Sequence, residues 1–264
     1  MNLTCPVCGM KLNRLEMRYA CARNHSFDIA RQGYVNLLTV EQKHSRHPGD
    51  TREQVLARRE FLEAGYYAPI AQTLADTARG LSGELLDVGC GEGYYASRLG
   101  DALHMGVTGM DISKEAVRCA AAKYKGSQWL CATAARIPVE DGSADLLTSL
   151  FALTLPGEFH RVLKENGFFF QVLAARDHLL GLKTIIYDQL IGKEKDTAPE
   201  LPGFERVKSI PIRFSFTVEG RQVQNLLSMT PHVYRIGKEG AERLSRTERL
   251  TDTASCVLNV FRRL

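Results

Sequence analysis

Glu84-Leu-Leu-Asp-Val-Gly-Cys-Gly-Glu-Gly93 sets the architecture of this chain. Its first half is apolar and strand-like. Its second half is a glycine-rich turn, after which a helical pattern opens near Tyr94. Gly89, Gly91 and Gly93 let backbone pass close to a ligand and let the helix N-terminus face it. Downstream, apolar runs at 106–110, 127–131, 145–150 and 168–173 alternate with helical patterns such as 114–124. That alternation predicts an α/β fold, a doubly wound and mostly parallel sheet with crossover helices. An apolar run at 210–216, a helix near 221–227 and a last strand at 255–261 complete it. Upstream, Asp50 or Thr51 can cap a helix that begins near Arg52 and stops at Gly65. A second helix runs from Pro69 to about Arg79.

The turn also discriminates between ligands. A dinucleotide fingerprint needs G-x-G-x-x-G; here the spacing is G-x-G-x-G, preceded by Asp87. The shorter loop and its acidic residue resemble the first motif of S-adenosylmethionine (SAM) methyltransferases. A cationic sulfonium with a free amino group suits an acidic loop, and a pyrophosphate does not. Asp111 ends the next strand, where a carboxylate can accept both ribose hydroxyls, and Ile112 follows it. Cys131-Ala-Thr133-Ala134 follows the third strand, where methyltransferases cover the adenine; many place Asp there, and Thr133 is a weaker polar substitute. SAM is therefore the expected cofactor. Its expected contacts here are Asp87, Gly89, Cys90, Gly91, Glu92, Gly93, Asp111, Ile112 and Thr133.

The first 34 residues read differently. They are polar and dense in Cys, Gly and Asn, and they hold Cys5-x2-Cys8-x12-Cys21-x3-His25. Three thiolates and an imidazole make a closed tetrahedral set for structural zinc. A unit of this size has too little core to hold itself, so metal would supply its stability. The expected organisation is a zinc-ribbon module at 1–34, a linker with helices at 35–80, and a Rossmann-like methyltransferase domain at 81–264.

The chain has 264 residues, 44% hydrophobic and 24% charged. No apolar run reaches the roughly 18 residues of a membrane helix, and no signal-peptide pattern opens the chain, so the cytoplasm is the expected address. With 7 cysteines, an odd number, metal or core roles are expected rather than disulfides. The net charge of +4 is unevenly placed: residues 1–60 hold 10 Lys/Arg against 6 Asp/Glu, and the remainder is balanced. A basic N-terminal segment on a neutral body points to a polyanion. Arg14, Arg18, Arg23, Lys43, Arg46, Arg58 and Arg59 are the expected polyanion contacts, the last two as phosphate clamps.

The two halves joined resemble the bacterial large-subunit (23S) ribosomal RNA guanine-N1 methyltransferases linked to macrolide resistance. The resemblance rests on Cys5-Pro-x-Cys8 with Cys21 and His25, Phe27-Asp28, Gly33-Tyr-Val-Asn-Leu-Leu38, Pro48-Gly-Asp50 and Ala57-Arg-Arg59. It continues through Phe61-Leu62, Gly65-x-Tyr67, Asp87-x-Gly-Cys-Gly-Glu-Gly-Tyr-Tyr95, Asp111-Ile-Ser-Lys114, His178-Leu179 and Met229-Thr-Pro231. It implies methyl transfer from SAM to guanine N1 of an rRNA hairpin, and homodimers whose zinc modules flank an RNA-sized cleft. It also implies that Tyr67 and His178 lie over the cofactor's methionine end. Two loops depart from the family's usual Tyr-Ala-Pro-Cys and Thr-Pro-Gly-Pro: Phe151-Ala-Leu-Thr154 and Leu173-Ala-Ala-Arg176. They keep open an RNA-binding homologue with altered or lost catalysis; a small-molecule methyltransferase with zinc as scaffold alone is the other alternative. Asp50 and Glu92 are the carboxylates that could take the N1 proton.

Overall fold

The computed structural model describes residues 1–43, 45, 48–190 and 196–264. The first strands, β1 (Leu3–Thr4), β2 (Lys11–Arg14), β3 (Arg18–Ala20) and β4 (Ser26–Asp28), form a four-stranded sheet in that order. All its pairings are antiparallel. Then follow β5 (Tyr34–Asn36), α1 (Arg52–Glu63) and α2 (Ala68–Thr77). The alternating segment is β6 (Glu84–Val88), α3 (Tyr94–Leu103), β7 (Gly106–Asp111), α4 (Lys114–Lys123), β8 (Gln128–Cys131), β9 (Ala144–Leu150), α5 (Pro156–Val162) and β10 (Leu163–Ala174). The chain closes with α6 (Leu180–Ile186), β11 (Phe204–Glu219), α7 (Arg221–Ser228), α8 (Lys238–Ser245) and β12 (Arg249–Arg263).

The large sheet has the order β11-β12-β10-β9-β6-β7-β8-β5. Only β12 runs against its neighbours there; β5 to β10 pair in parallel. From β6 the chain winds one way through β7 and β8, then returns to add β9 on the other side. The boundary between β6 and β9 is thus the topological switch point, where open α/β sheets leave a crevice at the strands' carboxyl ends. Leu85, Leu86 and Val88 are all buried, which fits an apolar run in a strand covered on both faces. The expected Rossmann-like sheet is the observed one.

Thr51, not Asp50, caps α1. The Gln54 N–H donates to Thr51 Oγ1 (3.4 Å) and the Thr51 N–H to Gln54 Oε1 (2.9 Å), a reciprocal capping box.

The zinc-ribbon region is docked rather than tethered. Leu3, Leu12 and Tyr19 pack in one apolar cluster with Leu86, Val88, Met110 and Phe169 of the large sheet. The Thr4 N–H donates to Pro138 O (2.9 Å), and Gln128 Nε2 donates to the Tyr19 hydroxyl (3.2 Å). The stretch expected to begin a linker at residue 35 opens instead inside the sheet. Tyr34, Val35 and Asn36 stand opposite Trp129, Leu130 and Cys131, and Leu37 and Leu38 are buried behind them. Among the described residues no helix is long and apolar enough to cross a membrane.

Candidate active site and metal centre

A cavity of about 1090 Å³ opens at the switch point. The ends of β6, β7 and β9 form its floor, with α1 on one side and the segment after α7 on another. Of the expected cofactor contacts, Tyr67, Asp87, Gly89, Cys90, Gly91, Glu92, Asp111, Ile112, Thr133 and His178 all line it. Gly93 does not. It caps α3 at φ 85°, and a Cβ there would stand 2.6 Å from Trp129 Cη2, so its absent side chain serves packing.

The floor is acidic. Asp87 is buried and accepts from Thr148 Oγ1 (2.7 Å); burial raises its carboxyl to about 7 against that hydrogen bond, and Asp111 and Glu92 add to the rise. Burial likewise pushes Glu92 up to about 7, although Arg58 pulls the other way. Asp111 is raised by burial, with its two backbone donors and Arg58 opposing. Those donors are the Gly91 N–H to Oδ2 (2.9 Å) and the Ser113 N–H to Oδ1 (2.8 Å). Asp111 therefore ties the glycine turn to the start of α4. Burial raises the Cys90 thiol well above its ordinary value, which leaves it a protonated packing residue.

Tyr67 and His178 meet across the other wall, Tyr67 Oη and His178 Nε2 lying 3.3 Å apart. His178 Nδ1 accepts from the Ser255 N–H (3.2 Å), so in the neutral ring Nε2 carries the proton and donates to Tyr67. Burial raises the Tyr67 phenol far above its usual range, so it stays protonated.

Arg58 lies inside the cavity wall and not on an open helix face. Its guanidinium pairs with Asp50 and donates to Met229 O (3.2 Å). Its side chain is 26% exposed. Arg59, one residue on, is exposed, as are Arg14, Arg18, Arg23 and Lys43; Arg46 lies outside the described residues. The two departing loops border the site, Phe151, Ala152, Leu153, Leu173 and Ala174 lining the cavity, whereas the residue pattern alone did not bring the 228–234 segment there. The quoted Met229-Thr-Pro231 motif was the available signal for that segment. Tyr234 also braces α1, its hydroxyl donating to Gln54 Oε1 (2.8 Å).

The ligand atoms of Cys5, Cys8, Cys21 and His25 all lie within 4.8 Å of one another. A tetrahedral zinc with ordinary bond lengths separates sulfurs by about 3.8 Å and sulfur from nitrogen by about 3.6 Å. The observed separations are 3.7 Å for Cys8 Sγ–Cys21 Sγ, 3.5 Å for Cys5 Sγ–His25 Nδ1 and 3.4 Å for Cys21 Sγ–His25 Nδ1. The residues present fit zinc, and four protein ligands close its coordination.

Residues 3–46 match the family described as the N-terminal zinc ribbon of RlmA, and residues 86–171 match the methyltransferase domain family. The 23S rRNA (guanine(748)-N(1))-methyltransferase of Streptomyces fradiae is 31% identical over 240 residues, 87% of this chain and 84% of that protein. The chain belongs to the RlmA-type 23S rRNA guanine-N1 methyltransferase family. A second relative, from Micromonospora griseorubida, is 36% identical over 204 residues, 69% of this chain and 68% of its own length. Family membership gives the two centres their chemistry: a SAM-dependent methyltransferase domain and a zinc-binding Cys3His ribbon. The phosphoethanolamine N-methyltransferase 2 of Haemonchus contortus, solved with S-adenosylhomocysteine, superposes with a TM-score of 0.50 at 14% identity. The match covers 81% of this chain and 57% of that one, and it shows the shared fold alone.

Proposed function

We propose that the chain methylates N1 of a guanine in a hairpin of 23S rRNA, with SAM as methyl donor. One observation carries this reading: a zinc ribbon with exposed arginines packs directly onto a sheet whose switch-point cavity is lined by carboxylates. The relatives supply the substrate. An rRNA substrate also places the work in the cytoplasm.

The chain's residues divide the task as follows. Asp111 accepts the ribose hydroxyls while holding the glycine turn. Gly89, Cys90 and Gly91 present backbone to the cofactor, and Ile112 and Thr133 flank the adenine. Asp87 and Glu92 face the cationic groups of its methionine end, and Tyr67, steadied by His178, covers that end. Bound SAM supplies an electrophilic methyl for in-line displacement, so the protein's share is mostly positioning. Guanine N1 faces its partner in a duplex, and the nucleotide must be flipped out to reach the cavity. Its N1 proton must also leave. Asp50 is engaged by Arg58, whereas Glu92, raised to about 7, suits a group that takes a proton near neutral pH. RNA is gripped by Arg14, Arg18, Arg23, Lys43, Arg46 and Arg59. Arg58 stands apart from these in the cavity wall. Homodimers would pair two such faces about one hairpin.

Incubation with unmodified 23S rRNA and labelled SAM, with the modified base mapped by primer-extension arrest, tests the activity. Label in a guanine at N1 is the expected result; label absent from RNA would refute it. Reversing Arg14, Arg18 and Arg23 together to Glu should weaken RNA binding and flatten its salt dependence with SAM affinity kept.

A further inference from the structure

The loop after β9, Phe151-Ala-Leu-Thr154, carries an unusual backbone. Phe151 has φ 55°, in the left-handed region that a bulky side chain seldom adopts. Residues held there cost free energy and persist only where their surroundings over-determine them. The surroundings do so here. The Phe151 N–H donates to Val172 O (2.9 Å), Ser149 Oγ to Leu153 O (3.2 Å) and Gln171 Nε2 to Thr154 Oγ1 (2.8 Å).

Gln171 is itself part of a polar row that crosses the sheet. Ser209 on β11, Asn259 on β12, Gln171 on β10 and Ser149 on β9 stand in one register. Ser209 Oγ donates to Asn259 Oδ1 (2.7 Å), and Asn259 Nδ2 donates to Gln171 Oε1 (3.3 Å) and to Thr197 O (2.8 Å). Asn259, Gln171 and Ser149 are at most 2% exposed. A satisfied polar row in an apolar sheet rigidifies what it touches, and this one ends on the loop that holds Phe151.

The loop sits directly against the cofactor turn. A Cβ on Gly89 would stand 2.7 Å from Ala152 Cβ. Phe151 lines the same cavity as Asp87 and Asp111, yet it is 42% exposed. Its ring centroid is 5.7 Å from that of His178, with the planes 33° apart. An aromatic held at a cavity mouth, open on part of its surface and fixed by strained backbone, is poorly explained by core packing.

We propose that Phe151 is the platform on which the flipped-out target guanine stacks, so that its N1 edge turns toward the cofactor turn. The proposal rests on the rRNA guanine reading given above and names the residue that receives the base. Stacking tolerates any flat aromatic surface but not an aliphatic one, which gives the test its contrast.

The assay uses the full zinc-loaded chain, unmodified 23S rRNA and labelled SAM. Phe151→Leu keeps a branched apolar side chain and should lower kcat/KM for RNA by about 5- to 150-fold, with SAM affinity by calorimetry within about twofold of wild type. Phe151→Tyr and Phe151→Trp should restore most of that loss. Undiminished methylation by Phe151→Leu, or Phe151→Trp as defective as Phe151→Leu in a folded protein, would overturn the assignment. A wild-type chain that leaves guanine N1 unmethylated would overturn the reading of the whole site, and Phe151's role with it.

Discussion

Asp87→Asn should make the cofactor-free protein more stable than wild type, and increasingly so as pH rises. Asp87 is 2% exposed, and burial, helped by Asp111 and Glu92, raises its carboxyl from 3.8 to about 7. In the unfolded chain the group titrates near ~3.9. A carboxyl whose folded pKa lies above its unfolded one binds its proton more tightly when folded. It therefore stabilises below about pH 4, and that stability is lost as pH climbs through about 7. Some three pH units at about 1.4 kcal/mol each bring the loss to about 4 kcal/mol above pH 7. Asn is isosteric and neutral at every pH, so it escapes the loss. Its Oδ1 can still accept from Thr148 Oγ1, at 2.7 Å in wild type. Replacing Oδ2 with the donor Nδ2 adds an offset that does not change with pH. Urea unfolding of both proteins from pH 4 to 8.5, without SAM, should show the difference widening by about 2–4 kcal/mol in favour of the variant. SAM affinity should fall in the same variant. A difference that stays flat across this range would refute the buried, proton-binding Asp87, and one that narrows would refute the sign.

Zinc chelation, or Cys8→Ser, should destabilise the whole chain, because Leu3, Leu12 and Tyr19 share a core with Leu86 and Phe169; two separate melting transitions, one for residues 1–34, would contradict the shared core. Gly93→Ala should cost about 1–3 kcal/mol in denaturant unfolding, since its Cβ meets Trp129 at 2.6 Å and its φ is 85°; an unchanged midpoint would show that the ring shifts freely. Asp111→Ala should weaken SAM binding by about 1–3 kcal/mol in calorimetry through loss of the ribose acceptor; unchanged affinity would move the ribose elsewhere.

What could be read from the sequence was what is encoded locally. The strands at 84–88 and 106–111 are runs bounded by Gly or Asp, and 128–131 is a short run between Ser127 and Ala132. The zinc ligands sit at spacings that two turns satisfy. Arg58 shows the limit. On sequence it is one of two adjacent arginines on a helix, with equal claims to solvent. Its guanidinium reaches Met229, 171 residues away, and only the packing of α1 against α7 decides that it faces inward while Arg59 faces out. β5 was hidden for a related reason. Three residues of strand, Tyr34-Val-Asn36, carry too little periodicity to be told from the apolar start of a linker, and their pairing with β8 is wholly non-local. Phe151 carried the weakest signal, because a left-handed φ at a non-glycine residue follows from bracing by distant strands.

The distribution of charge around the cavity also orients what it holds. Asp50, Asp87, Glu92 and Asp111 all line it. Arg58 pairs with Asp50 and offsets the charge on Glu92 and Asp111. For Asp87 the relief comes from the Thr148 hydroxyl, a dipole and not a cation. The negative potential is thus best balanced on the Asp50 side and least balanced beside Asp87. A ligand with one cationic end gains most by placing that end toward Asp87, and its neutral ribose can rest on Asp111, whose oxygens already serve the glycine turn. The same imbalance that makes Asp87 a stability liability in the empty protein therefore makes its side of the cavity the most favourable place for a cationic group.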